Sequence, residues 1–336
     1  MKAHVKVGIR QVAAEAGVSI TTVSQVYNHK GEVAEATRER VLAVGTRLGY
    51  RANPIGRALR SGRSHVLGIA IGYRESAVWE QTYMPYYRSI IAGAAIEAVE
   101  HGYSISAAPA TADGELQTTI PLDGVIVVDP VADDALVERA LADGLAVVTD
   151  GGYEADGRAM LRSVRSDMAR GIPDVLDVLA ALDPGEPLRP GLFIGPRLDS
   201  YTGDTVAAYR SWCADRGLEP VVTALELGQA PIDAARAMLS DAHARVNAVH
   251  CLNDTYGNAL LAAAAERDLD VPGDLRVSIA GDARGLAADA RAVYLDIDPV
   301  RSGAACVRTL IALLDDGDPP DVLSPVTVVP PRSRLR

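Results

Sequence analysis

IRQVAAEAGVSITTVSQVYN, residues 9–28, decides the reading of the amino-terminal region. Apolar residues fall at Ile9, Val12, Ala13 and Ala16, the spacing of one helix face, and again at Val23, Val26 and Tyr27. Between these runs, Gly17 supplies the permissive backbone that a tight helix–helix turn needs. Ser19 follows it, and its hydroxyl suits an N-cap because it accepts an orphan backbone N–H. At about 100° per residue, Val23, Val26 and Tyr27 share one arc of the second helix. Thr21, Ser24, Gln25 and Asn28 gather on the opposite side, with Ile20 and Thr22 at its edges. A third helix is predicted over Ala36–Leu48, burying Val41, Leu42 and Val44 and ending at Gly49.

Such a pattern also fits a small helical bundle with no ligand, and charge decides between the two. The first 65 residues carry eleven Lys or Arg against four Asp or Glu, whereas the remainder carries 22 against 40 and the whole chain is −11. A basic head on an acidic body points to a polyanion for the head alone, and a helix-turn-helix with a polar exposed face points to double-stranded DNA. Downstream, Asn53 and Pro54 suit a helix start, and Leu59 sits among Arg57, Arg60 and Arg63. So short a segment, with Gly56 inside it, nucleates poorly alone; it reads as a basic linker that becomes a helix on DNA.

The stretch from Val7 to Arg63 closely resembles the DNA-binding head of the lactose/galactose repressor (LacI-type) family. The resemblance rests on Val12-Ala13, Ala16-Gly17-Val18-Ser19, Thr22-Val23-Ser24, Thr37-Arg38-Glu39-Arg40-Val41, Leu48-Gly49-Tyr50, Asn53-Pro54-Ile55 and Arg57–Ser64. It implies a homodimer on a palindromic operator, with two recognition helices in successive major grooves and paired hinge helices that push Leu59 into the minor groove. Ser19, Ile20, Thr21, Thr22, Ser24, Gln25, Asn28, Tyr50, Asn53, Arg57, Leu59 and Arg60 are the DNA-contact candidates. Four positions depart from the family pattern. Gly8 and Ala34 stand where Ser or Thr usually caps a helix, Gln25 stands where many members carry Arg, and Gly56 replaces an Ala.

From Ser64 onward, short β-rich runs alternate with helical stretches. Strands are predicted at Val66–Ile71, Ser104–Ala108, Val125–Val128, Ala146–Thr149, Leu192–Ile194, Val221–Val222, Ala248–Leu252 and Val277–Ala280. Helices are expected near 87–101, 134–143, 170–182, 204–217, 231–242, 254–267 and 299–315. This alternation gives parallel sheets flanked by helices, and about 270 residues suit two such lobes, with ligand sites at the carboxyl ends of strands. The body resembles the effector-binding core of the same family, which is similar to periplasmic sugar-binding proteins. The matches are sparser here: Val66-Leu67-Gly68-Ile69, Pro85-Tyr86-Tyr87, His101-Gly102-Tyr103, Asp123-Gly124-Val125-Ile126, Asn253-Asp254, Val271-Pro272, Asp298-Pro299 and Pro331-Arg332-Ser333.

The expected architecture is therefore an all-α helix-turn-helix head (1–52), a hinge helix (53–64) and a periplasmic-binding-protein-like α/β core of two lobes with parallel sheets (65–336). Lobe 1 is expected at about 65–165 and 298–323, and lobe 2 at about 166–297 and 324–336. The resemblance implies a small-molecule effector in the crevice between the lobes. Tyr73, Tyr86, Arg88, Asp150, Asn253 and Asp282 are the candidates to bind it. Ordinary alternatives stand beside each: core aromatics for Tyr86 and Tyr87, turn residues or caps for Asp150 and Asp282, and an N-cap for Asn253. Gly203 replaces an arginine that grips sugar hydroxyls in the family, and Asp282-Ala283-Arg284 breaks an Asp-Asp pair. A flatter or anionic effector is expected in place of a plain hexose. The segment from Ala107 to Leu122 is too short for the helix usual there, and the loop Gly72–Met84 is long.

Other classes find little support. Ile69-Ala-Ile-Gly-Tyr-Arg-Glu75 holds one glycine, so no dinucleotide or P-loop fingerprint follows the first strand. Cys213, Cys251 and Cys306 are isolated and the six histidines are scattered, so neither a disulfide framework nor a metal site is indicated, no cofactor is expected and no nucleophile elbow occurs. A solute-binding protein or an enzyme on the same two-lobed fold is the alternative. The basic head and a start without a signal-peptide core speak against it. No apolar run approaches the roughly 20 residues of a membrane helix, so a cytoplasmic protein is expected. The last run, Pro331–Arg336, adds no heptad helix, which favours a dimer over a tetramer. Ala259–Ala265 is a candidate interface or a buried core helix.

Overall fold

The structure, a computed structural model, describes residues 7–27, 31–50, 62–71, 85–154, 157–196, 199–241, 246–283 and 289–332. Its contacts divide the chain into two compact units, Met1–Ser64 and His65–Arg336.

The first unit holds α1 (Ile9–Ala16), α2 (Ile20–Tyr27) and α3 (Glu35–Leu48). Val12, Ala13, Ala16, Val23, Val26, Val41 and Val44 form its core. Gly17 ends α1 in the left-handed region at φ +64°, the conformation that glycine adopts without steric cost. Gly8 has no side chain to cap α1, yet its N–H is met by Gln11 Oε1 at 2.9 Å, so one orphan donor is satisfied from inside the helix. Ala34 caps α3 with no side-chain hydrogen bond. Leu42 was expected in the core but is 40% exposed, because Val41, Val44 and Gly45 already fill the buried face of α3.

Two six-stranded sheets make the second unit. The first contains β1 (Val66–Ile71), β2 (Ser104–Ala107), β3 (Gly124–Val128), β4 (Ala146–Asp150), β5 (Leu161–Ser166) and β11 (Val322–Ser324), in the order β11-β5-β4-β3-β1-β2. The second contains β6 (Pro190–Ile194), β7 (Val221–Ala224), β8 (Ala248–Cys251), β9 (Arg276–Gly281), β10 (Val293–Asp296) and β12 (Thr327–Val329), in the order β12-β10-β9-β8-β6-β7. All pairs are parallel except β10–β12. Central strands such as Gly124-Val-Ile-Val-Val128 are buried throughout, as continuous apolar runs covered by helices on both faces must be.

On the first sheet, α4 (Pro85–Glu100) and α10 (Pro299–Leu314) cover Leu67, Ile69, Ile126 and Val148. The opposite face, with Val125, Val127 and Val147, lies under α5 (Ala135–Ala142) and the segment after β2. That segment forms an antiparallel bridge between Ala110 and Leu116 and no helix, in line with its short length. The second sheet is flanked by α6 (Met168–Leu182), α7 (Ser200–Asp215), α8 (Pro231–Asp241) and α9 (Asp254–Ala265). Leu260, Leu261, Ala263 and Ala264 of α9 are buried against β8, β9 and α8, so of the two readings of Ala259–Ala265 the structure shows the core helix.

The chain passes between the sheets three times: from β5 into α6, from β10 into α10, and from β11 to β12. In each sheet the strand order reverses beside the first strand, between β1 and β3 and between β6 and β8, and ligands of open α/β sheets bind at the carboxyl ends of strands at such points. The eight strands predicted from sequence are all present. β5, β10, β11 and β12 were missed. Among the described residues no helix is long and apolar enough to cross a membrane.

Candidate functional site

Two sites emerge, one in each unit. In the first, Ser19 caps α2: its Oγ accepts the Thr22 N–H at 3.0 Å and lies 2.8 Å from the Thr22 hydroxyl. Val23 and Val26 anchor the helix from the other side. Ile20 is 45% exposed, and Ser19 and Thr21 are exposed beside it, so the amino-terminal turn of α2 faces solvent. Thr22, Ser24 and Gln25 are half-buried. The Gln25 amide lies against the backbone at Gly31, so it is less projecting than a helical wheel suggests.

Tyr50 packs within the head. It meets Tyr27 edge-on, with ring centroids 5.1 Å apart and planes at 80°, and both rings pack on the core of the unit. Burial, then the neighbouring Tyr50, pushes the Tyr27 hydroxyl up from its ordinary pKa. Asn28, Asn53, Arg57, Leu59 and Arg60 lie outside the described residues. Glu15 and Arg47 pair at 2.6 Å and tie α1 to α3.

The second site is the crevice at the carboxyl ends of the strands. Tyr86 and Tyr87 open α4 and diverge. Tyr87 is buried and donates to Asp129 Oδ2 at 2.7 Å, whereas the Tyr86 hydroxyl donates to Asp150. Asp129 follows β3 in the left-handed region, at φ +52°, which Asp tolerates better than most residues, and its N–H donates to the Asp150 carbonyl at 3.0 Å. Asp150 ends β4 at 4% exposure. Burial pushes its carboxyl up to about 7, opposed by the bond from Tyr86. Tyr86 itself is held well above its ordinary value, first by burial and then by Asp150 and Asp129.

A cavity of about 10 Å³ remains here, lined by Tyr86, Asp129, Asp150, Gly151, Gly152, Arg165, Ser166, Tyr201 and Asp204. Tyr201 and Asp204 come from α7 on the second sheet, and the Ser200 N–H bonds the Pro130 carbonyl at 3.2 Å, so both sheets contribute to this wall. Across the second sheet, Asn253 caps α9, its Oδ1 accepting the Tyr256 N–H at 3.1 Å. That is the ordinary role foreseen for it. Asp254, beside it, is raised to about 6, by burial first and then by Asp282.

Of the effector candidates, the structure brings Tyr86 and Asp150 together. Asn253 and Asp282 sit at the ends of β8 and β9 instead. Arg88 is exposed on α4 and does not line the described cavity. Tyr73 lies outside the described residues. Sequence reasoning missed Asp129, Arg165, Tyr201 and Asp204. Among the described residues no group of three metal-ligating side chains occurs.

Comparison with known proteins matches both units. Residues 8–53 fit the model of bacterial regulatory proteins of the lacI family, and residues 189–334 fit the periplasmic binding protein-like domain. The chain is 26% identical over 324 residues to the HTH-type transcriptional regulator RegA of Clostridium saccharobutylicum, covering 91% of this chain and 92% of that protein. Over 88 residues (26% of this chain, 23% of the other) it is 40% identical to the maltose regulon regulatory protein MalI of Escherichia coli K12. In fold it is similar to the Lac repressor dimer bound to operator and the anti-inducer ONPF, with TM-score 0.77 and 20% identity over 96% of this chain and 98% of that one. It is also similar to the transcriptional regulator CelR in its cellobiose complex, with TM-score 0.65 and 20% identity over the same shares.

Proposed function

Because this chain is a DNA-binding transcriptional regulator of the LacI family, we propose that it works as a homodimeric repressor on a palindromic operator, switched by a small molecule held between its lobes. The observation that carries the reading is the capped α2, anchored by Val23 and Val26 on one side and presenting Ile20 and Thr21 on the other, within the amino-terminal 65 residues whose charge balance is positive. Thr21 and Gln25 are the base-reading candidates, since glutamine suits the N6/N7 edge of adenine. Ser19, Thr22, Ser24 and Asn28 fix register on phosphates, and Arg57 and Arg60 add phosphate contacts. The fold neighbours solved with ONPF and with cellobiose support a ligand site in the body.

Dimerisation has a surface to use. Ile96 and Val99 of α4 are 63% and 70% exposed, and β2 beside them is the edge strand of its sheet. Apolar side chains next to an unpaired strand edge suit a two-fold partner.

The crevice supports a different ligand class from the flatter or anionic one expected from sequence. Its described wall sets Asp129, Asp150 and Asp204 against Arg165, and Arg88 stands apart on an exposed helix face. The carboxylates of Asp129 and Asp204 accept hydrogen bonds and repel anions, and Asp150, protonated or not, offers a further hydrogen-bonding oxygen, so a hydroxyl-rich neutral or cationic ligand fits better than an anionic one. Gly203 brings no guanidinium, and among the described lining residues Arg165 does.

The test is direct. Full-length protein is titrated into labelled palindromic DNA, and sugars, amino sugars and nucleosides are then added to the complex. Retention of the DNA at low salt and its release, or tighter retention, with one ligand class supports the reading. Absence of DNA binding even at low salt defeats it.

A further inference from the structure

Asp150 is a buried carboxyl that makes no ion pair among the described residues. Its partner is the Tyr86 hydroxyl, a neutral donor, and it lies at 4% exposure where an isolated negative charge is costly. The space beside it, about 10 Å³, is roughly one water sphere. The groups that face it come from five elements: Tyr86 and Tyr87 from α4, Asp129 after β3, Arg165 from β5, Tyr201 and Asp204 from α7, and Cys306 from α10. Asp129 and Asp204 add two further carboxylates to this wall and Arg165 one guanidinium. The wall is assembled from both sheets, and the Ser200 N–H to Pro130 carbonyl bond crosses between them. That bond ties the start of α7 to the segment after β3, so it reports on whether the two sheets stay together at this wall.

We propose that Asp150 is a proton-binding site that couples the lobe arrangement to pH: its protonated form holds the crevice closed, and its ionised form favours opening. The linkage follows from burial. In the closed crevice the carboxyl titrates at about 7, and once wetted it returns towards its ordinary 3.8. Acid therefore favours the closed arrangement, and the bias disappears as the pH rises past the closed-state value. With those two values the closed-to-open ratio falls about tenfold between pH 6 and pH 8 and changes little above pH 8. Removing the Tyr86 donor, which lowers the Asp150 value, moves the midpoint upward. The proton site does not depend on the reading of the body as an effector sensor; any pH dependence of DNA binding that it produces rests on that reading.

The experiment is hydrogen–deuterium exchange on the full-length protein, following the Ser200 amide at pH 6, 7 and 8 after correction for intrinsic exchange. In the wild type the opening equilibrium should rise about tenfold across this range. Asp150→Asn, which keeps an acceptor for Tyr86 and cannot ionise, should give a flat profile, and Tyr86→Phe should shift the midpoint to higher pH. The wild-type and Tyr86→Phe profiles stand as a test even if Asp150→Asn fails to fold. Parallel profiles in wild type and Asp150→Asn, or a wild-type opening constant independent of pH, would overturn the proposal.

Discussion

His250 gives the most quantitative handle on the second sheet. It sits on β8 facing Ser278 of β9, fully buried, with Nδ1 2.9 Å from the Ser278 hydroxyl and no partner for Nε2 among the described residues. Burial pushes its imidazole down from 6.5 to about 4. Below about pH 6.5 the unfolded chain binds a proton that the folded chain refuses, so stability falls as the pH drops towards 4 and levels off beneath it. From those two values the loss between pH 7.5 and pH 4.5 is about 2.5 kcal/mol. Asp150 works in the opposite sense, because its folded carboxyl keeps a proton up to about 7 that the unfolded chain releases near 3.8; its contribution grows as the pH falls through that window. Asp254, raised to about 6, adds to the Asp150 sense, so the wild-type profile sums opposing groups and the difference between wild type and His250→Asn isolates the imidazole. His250→Asn retains a polar atom near the position of Nδ1 and should remove the acid-side loss. Its baseline stability should drop by about 1–3 kcal/mol through lost packing. Urea unfolding between pH 4.5 and 7.5, followed by Trp212 fluorescence in a Trp79→Phe background, measures both quantities. If the stabilities of wild type and His250→Asn change by the same amount on acidification, the buried neutral imidazole makes no contribution.

Three further outcomes follow from packing and capping. Gly303→Ala places a Cβ against the Ile90 carbonyl oxygen where α10 crosses α4, and should cost about 1–3 kcal/mol or more by thermal melting; an unchanged melting temperature would mean that the crossing is looser than described. Ser19→Ala removes the α2 cap and should destabilise the head by about 1 kcal/mol, seen as earlier loss of helical circular dichroism; an unaltered melt would deny the cap its role. Ile96→Glu with Val99→Glu puts charge on the exposed face of α4 and should yield monomers in light scattering, whereas a persistent dimer would place the interface elsewhere.

How much of this was legible from sequence depended on whether a feature was local. The helix-turn-helix was readable because its periodicity, turn glycine and capping serine lie within 20 adjacent residues. The parallel strands were readable because burial on both faces forces apolar runs such as Val66–Ile71 and Gly124–Val128. β5 escaped because Leu161-Arg-Ser-Val-Arg-Ser166 spends its polar positions on long-range contacts, Arg162 bonding the Pro319 carbonyl and the Ser163 N–H bonding Asp321. β11 and β12 have three residues each, too few for any period to register.

The crevice divides in the same way. Asp150 was found because it follows an apolar strand, and the same rule applied to Val125–Val128 would have found Asp129. Tyr201, Asp204 and Arg165 carry no such signal. They reach the cavity only because the chain crosses between the sheets after β5 and returns α7 beside the first sheet's strand ends.

The central claim is that the head reads a two-fold symmetric DNA sequence through α2. Selection of binding sites from a random duplex pool with the full-length protein tests it most directly. A palindromic consensus is expected, with half-site positions that relax when Gln25→Ala or Thr21→Ala replaces the wild type. Recovery of no consensus, or of one that lacks two-fold symmetry and is unchanged by both substitutions, would contradict the account.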